Sequence, residues 1–114
     1  MKHSLPDANG SGAAQKSAGD IVVEALRAEG VAAIFGIVGS HVVGIYEALR
    51  QAPDIRAVSA RHEGAASYMA AGMARLTGEV GVAIVTAGPG VLNALNGVAQ
   101  AEFSAEPVVI IAGG

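Results

Sequence analysis

The chain has 114 residues, of which 52% are hydrophobic, 15% charged and 4% aromatic, with 16 glycines, no cysteine and a formal net charge of -3. This length suits one domain, and the low charge excludes a disordered polyelectrolyte, a nucleic-acid footprint and an electrostatic membrane anchor. The missing cysteines exclude disulfides, thiol catalysis and zinc-cysteine sites, while glycine at about twice its usual ~7% share signals close approaches and tight turns.

Met1 to Ser17 reads as a disordered tail, with 18–114 as the folded domain. No secretory signal is visible in it, and a cytoplasmic location is expected. Asp20 is a candidate N-cap for a helix over Ile21–Glu29, where Ile21, Val22, Ala25 and Leu26 recur at helical spacing and Gly30 is the stop. Ala32–Val38 is a short apolar strand ended by Gly39. An amphipathic helix over His41–Gln51 follows and closes at Pro53, and Ile55–Ser59 is a second strand. Arg61-His62-Glu63 opens a helix reaching Leu76, stopped by Gly78.

Val80–Val85 is a third strand, apolar without alternation and so suited to burial on both faces. Gly88-Pro89-Gly90 is a turn before a helix over Val91–Phe103, and Pro107–Ile111 is a fourth strand. The stretch Val80–Ala101 has no charged residue and is long enough to span a bilayer. Its Gly88-Pro89-Gly90, Asn93, Asn96 and Gln100 argue against a lipid-facing helix, and no membrane association is expected.

Helix and strand alternating at this spacing predict an α/β fold, a parallel sheet with helices on both faces. The loops after the strands then share one sheet edge, where such sheets bind ligands. Those loops are Gly39-Ser40-His41, Ala60–Glu63 and Ala87–Gly90. None is a phosphate fingerprint: Gly88-Pro89-Gly90 lacks the third glycine of a dinucleotide motif, and no lysine follows a glycine pair as a P-loop requires. The turn is explained either by close approach of a flat ligand or backbone, or simply as a tight turn.

Glu63 is the only carboxylate in the three loops. Two readings are open for it: an acid favoured by the dipole of the helix it begins, or a carboxyl among the small residues Gly64-Ala65-Ala66 whose pKa is raised so that it shares a proton near neutrality. His41, at a helix start, is either a neutral proton relay or an ordinary exposed residue. Arg61 and His62 flank Glu63 and are candidate structural partners for it. No metal-ligand spacing is present, and Ser40, Ser59 and Ser67 lack a nucleophile context.

Several segments together resemble a known family. They are Gly19-Asp20 with Val23-Glu-Ala-Leu26, Phe35-Gly-Ile-Val-Gly39, Arg61–Ala66, Ala70–Arg75, Gly81-Val82, Thr86–Asn93 and Pro107–Ile111. Their order and spacing are similar to the pyrimidine-binding domain of thiamine-diphosphate enzymes, the N-terminal domain of acetolactate synthases, benzaldehyde lyase and 2-hydroxyacyl-CoA lyases. The resemblance covers about residues 19–114.

It implies thiamine diphosphate as cofactor and a carboligase, lyase or decarboxylase acting on small 2-oxo or 2-hydroxy acids, the carbanion chemistry being the cofactor's own. Glu63 matches the glutamate that bonds the pyrimidine ring and promotes its imino tautomer. Thr86, Gly88, Pro89, Gly90 and Asn93 would lie along the pyrimidine loop, and Gly36–Ser40 would line the substrate side. His41 is similar to a histidine placed over substrate in benzaldehyde-lyase-like members. Val38 stands where many acetolactate synthases carry proline, as in the acyl-CoA lyase branch.

The family holds the diphosphate through Mg²⁺ with a G-D-G motif, which is absent from this sequence. The resemblance therefore implies that the metal is bound elsewhere, in a domain this chain lacks, and that a second subunit in a dimer or tetramer completes the site. The small residues from Gly64 to Met73 are expected to pack against that partner. The alternative expectation is a truncated, non-catalytic remnant or interaction module.

Overall fold

The computed structural model describes residues 15–114, so most of the expected tail lies outside the described residues. Eight elements alternate: α1 (Ala18–Ala28), β1 (Ala33–Gly36), α2 (Val43–Arg50), β2 (Arg56–Ser59), α3 (Glu63–Thr77), β3 (Gly81–Val85), α4 (Pro89–Phe103) and β4 (Val108–Ala112). The order and type of all eight agree with the sequence reading; the strands are trimmed by a residue or two, β1 ending at Gly36 rather than Val38, and the helix starts shift. Ser17 is the N-cap of α1, and Asp20 is its partner three residues on: the Ser17 side chain accepts from the Asp20 N–H at 3.1 Å, and Asp20 Oδ2 accepts from the Ser17 N–H at 2.8 Å. A residue expected to cap the helix is thus the reciprocal half of a capping box. Helix α4 begins at Pro89 rather than Val91, because proline is well suited to the first helical position, where its missing N–H is no loss.

All strand pairs are parallel, in the order β2-β1-β3-β4. From β1 the chain moves outward to β2, and from β3 it moves outward the other way to β4. The adjacent C-terminal ends of β1 and β3 are therefore a topological switch point, the crevice where open α/β sheets bind ligands.

The two faces of the sheet are packed differently. On one, Val23 and Leu26 of α1 and Ala48 and Leu49 of α2 cover Ile34, Val82 and Ile84, with Val42 and Ile55. Each such aliphatic side chain contributes about 1.5–3 kcal/mol on burial. On the other face Phe35 and Ala83 meet Ala66 and Ala70 of α3. Alanine there lets α3 lie close to the sheet: a β-carbon added at Gly81 would overlap the Ala70 carbonyl. Strand β3 is buried along its whole length, as its unalternating sequence predicts.

Helix α4 packs chiefly on α3. Its buried residues are Gly90, Ala94, Gly97 and Ala101, at alternating spacings of four and three. The Ser67 hydroxyl of α3, fully buried, lies 2.8 Å from the Ala94 carbonyl oxygen and 3.0 Å from that of Gly64. A β-carbon at Gly97 would overlap the Ser67 side chain. Of the small residues of α3 from Gly64 to Met73, Gly64, Ala66, Ser67, Ala70 and Ala71 are buried within this chain, because only small side chains allow backbones this close, while Ala65 and Gly72 stay exposed. No helix among the described residues is long and apolar enough to cross a membrane.

Two glycine substitutions of opposite sign test this packing. Gly97→Ala is expected to destabilise the chain by about 1–3 kcal/mol through overpacking. Gly44→Ala in α2, where nothing lies within 4 Å of the added carbon, is expected to stabilise by about 0.4–1 kcal/mol. Urea unfolding midpoints at unchanged slope read both.

Candidate functional site

Three loops converge at the C-terminal ends of the strands. Thr86 follows directly after β3 and meets both neighbours of the switch point. A β-carbon at Gly39, after β1, would lie 2.8 Å from Thr86 Cβ and 3.0 Å from its Oγ1, so only glycine lets the two loops touch this way. His41 Nδ1 lies 3.1 Å from Thr86 Oγ1. His41 sits in the turn before α2, whose N-cap is Val42, rather than in the helix itself. Gly113, just after β4, packs on the His41 carbonyl, and any side chain there would overlap it. The His41 turn is therefore held between Thr86 and the end of β4.

Gly88 is the N-cap of α4 and has φ 70° and ψ -119°, a backbone region that residues with a β-carbon rarely occupy. This sharp turn swings Pro89 to the first helical position and brings Gly90 in behind Thr86. A β-carbon at Gly90 would lie 3.1 Å from Thr86 Cγ2 and 3.5 Å from Glu63 Oε2. Gly90 thus separates Thr86 from Glu63 by one backbone thickness, and Pro89 and Gly88 stay exposed beside them.

Glu63 is the first residue of α3 and is half-buried. His62 precedes it as N-cap, its Nδ1 accepting from the Gly64 N–H at 2.9 Å. The flanking histidine is therefore a partner of the helix end rather than of the Glu63 carboxylate. That carboxylate is instead met from thirty residues away: Asn93 Nδ2 donates to Glu63 Oε1 at 3.1 Å.

This bond, together with the residue's own N–H, holds the Glu63 carboxyl below its ordinary value of 4.5, with desolvation opposing and His62 adding a smaller lowering. A raised pKa, one of the two readings of the sequence, is thus corrected. Donors aimed at the charged form outweigh its partial burial. The result is an ionised acceptor at a helix N-terminus, where the dipole also favours negative charge.

The structure brings Glu63, Asn93, Gly90, Thr86 and His41 into one continuous cluster. What sequence reasoning missed is the direct Asn93 contact, the wedge of Gly113 against His41 and the Ser67 clamp. The matched three- and four-residue spacing of small residues in α3 and α4 was the available signal for the last. Among the described residues no group of three or more His, Cys, Asp or Glu side chains is arranged to hold a metal ion. The chemistry present at this edge is an ionised carboxylate next to Gly90 and the exposed Gly88-Pro89 turn, able to accept a hydrogen bond from a ring N–H.

The lowered pKa of Glu63 ties stability to acidity in a definite sense. Its contribution is complete above the unfolded value near 4.5 and is lost as pH falls through the lower folded value. The melting temperature difference between the native chain and Glu63→Gln is therefore expected to shift against the native chain as pH drops below about 4.5. A difference independent of pH between 3 and 7 contradicts this assignment.

The sequence profile of the family described as thiamine pyrophosphate enzyme, N-terminal TPP binding domain, matches residues 16–114. The acetolactate synthase isozyme 3 large subunit of Escherichia coli (strain K12) is 46% identical over 97 residues, 85% of this chain and 17% of its own length. Acetolactate synthase 2, chloroplastic, of Brassica napus is 40% identical over 98 residues, 86% of this chain and 15% of its own length. The 2-hydroxyacyl-CoA lyase 2 of Danio rerio is 43% identical over 95 residues, 83% of this chain and 15% of its own length. The chain thus spans about a sixth of the length of these relatives. With the parallel α/β sheet and its match across nearly all described residues, the chain belongs to the thiamine pyrophosphate enzyme family through its N-terminal TPP binding domain.

Proposed function

We propose that this chain forms the pyrimidine side of a thiamine-diphosphate site in a carboligase, lyase or decarboxylase acting on small 2-oxo or 2-hydroxy acids, similar to acetolactate synthase. The observation that carries this reading is Glu63, an ionised carboxylate fixed by Asn93 at the switch point of the sheet. When bound, the cofactor supplies a stabilised carbanion that adds to carbonyl carbon.

The chain's own residues bind and orient. Glu63 would accept a hydrogen bond from a protonated ring nitrogen of the pyrimidine, and its negative charge would favour the proton staying on the ring, the state the imino tautomer needs. Gly90 and Gly88 keep the loop thin enough for a flat ring to approach, and Thr86 forms the wall between Glu63 and His41. His41, anchored through Thr86, faces the same edge as a group able to donate to or accept from a substrate oxygen. On this reading the diphosphate and its Mg²⁺ would be held by groups other than the described residues, among which no metal-binding cluster occurs.

A second subunit of the same family is the partner this reading requires. Support comes from the apolar side chains left exposed on the two helices beside the site: Tyr68 and Leu76 of α3, and Leu92, Leu95 and Phe103 of α4. Leu92 and Leu95 lie three residues apart and so share a helix face.

The test is a chimera in which this chain replaces the matching segment of the Escherichia coli relative, assayed for thiamine-diphosphate-dependent acetolactate formation. Glu63→Gln is expected to lower the rate by about 10²-fold or more, the usual worth of a placed acid–base group. An undiminished rate removes Glu63 from the role. Tight Mg²⁺-dependent binding of thiamine diphosphate by the isolated chain contradicts the division of the site proposed here.

A further inference from the structure

We infer that Asn93 is a positioning residue for Glu63: its side-chain amide, delivered by α4, pins one carboxylate oxygen, Oε1, at the start of α3 and leaves the other, Oε2, on the Gly90 side. The inference rests on the acceptor role proposed for Glu63, but its geometry is independent of any cofactor. Asn93 Nδ2 reaches Glu63 Oε1 at 3.1 Å, and Oε2 is the oxygen nearest to a β-carbon built at Gly90, at 3.5 Å. The orientation of the amide is dictated by chemistry. An ionised carboxylate has no proton to donate, so the amide nitrogen and not its oxygen must face it.

Asn93 is itself held from behind. A β-carbon at Gly64 would lie 3.1 Å from the Asn93 carbonyl oxygen, and one turn on the Ser67 hydroxyl meets the Ala94 carbonyl at 2.8 Å. The backbone that carries Asn93 is thus pressed against the backbone that carries Glu63. The other polar side chains of α4 do not compete, since Gln100 Nε2 donates to Ser104 and Asn96 is exposed.

An amide suits this task better than a cation does. A lysine or arginine would neutralise the carboxylate and form an ion pair that an incoming protonated ring must displace. Asparagine supplies one donor and no net charge, so it orients Glu63 and keeps its negative charge available. The titratable neighbours are His62, beside Glu63 on the same helix end, and His41, on the far side of Thr86. Arg61 lies in the same loop, exposed.

The inference is tested by following the Glu63 carboxyl with carbon-13 NMR through a pH titration of the 114-residue chain, with Glu63→Gln used to assign the signal. In Asn93→Ala the midpoint is expected to rise toward the ordinary glutamate value. In Asn93→Asp, close in size to the native residue, it rises further, because a second carboxylate replaces the donor. Ser67→Ala, which touches Ala94 but not Glu63, lowers the melting temperature and leaves the midpoint in place.

An unmoved midpoint in either Asn93 variant overturns the inference, as does an equal rise in Ser67→Ala, which assigns the effect to general loosening of the α3–α4 contact. An unmoved midpoint together with a Glu63→Gln chimera that has lost activity counts against Asn93 alone. A shifted midpoint with an undiminished Glu63→Gln rate counts against the cofactor role of Glu63 and leaves the positioning intact.

Discussion

The close approach of α3 to its two neighbours is the constraint on which the site depends. Backbone meets backbone at Gly81 and Ala70 on the sheet side and near Gly97 and Ser67 on the α4 side. Close-packed interiors transmit small displacements because there is no slack to absorb them. A helix held on two sides by glycine and alanine, with a buried hydroxyl joining it to the next, has little freedom to slide. Its first residue is Glu63, and the first residues of the neighbouring helix are the Pro89–Asn93 turn. Fixing the helices fixes the distance between the carboxylate and its amide partner.

The two sides of the sheet divide the work. Stability comes mainly from the side carrying α1 and α2, where Ile34, Val82 and Ile84 meet leucine and valine. The side carrying α3 contributes less buried bulk and more positional accuracy, with alanines over Phe35 and Ala83. A composition rich in glycine and alanine thus has a physical address. It lies where helices must come near the sheet and near each other, while the larger aliphatics cluster on the opposite face.

Much of this was legible in the sequence. The order of eight elements, the parallel sheet and the three loops follow from period, turn residues and apolar runs. The starts of α1 and α4 were less legible, because Ser17 and Asp20 form a reciprocal pair in which either residue resembles a cap, and because Pro89 reads equally as a turn or a first helical residue. The chemistry of Glu63 was the hardest to read. Its local neighbours are small and apolar, which argues for a raised pKa, but the group that sets its charge comes from Asn93, a contact that exists only once the two helices are packed. Local sequence reports crowding and polarity nearby; it does not report a donor brought in by tertiary structure.

The sheet has two unlike margins. At β2 the sequence Arg56-Ala57-Val58-Ser59 mixes charge and hydroxyl into the strand, whereas β4, Val108–Ala112, is entirely apolar, with Val109 about half exposed at 46%. Among the described residues β4 pairs only with β3. Immediately before it stand Pro107 and Glu106, whose nearly buried carboxylate pairs with Arg75 at 3.3 Å. Among the described residues the two margins therefore differ in kind: β2 carries polar groups along the strand, whereas the charge beside β4 sits at one end of it, tied to α3 through Arg75.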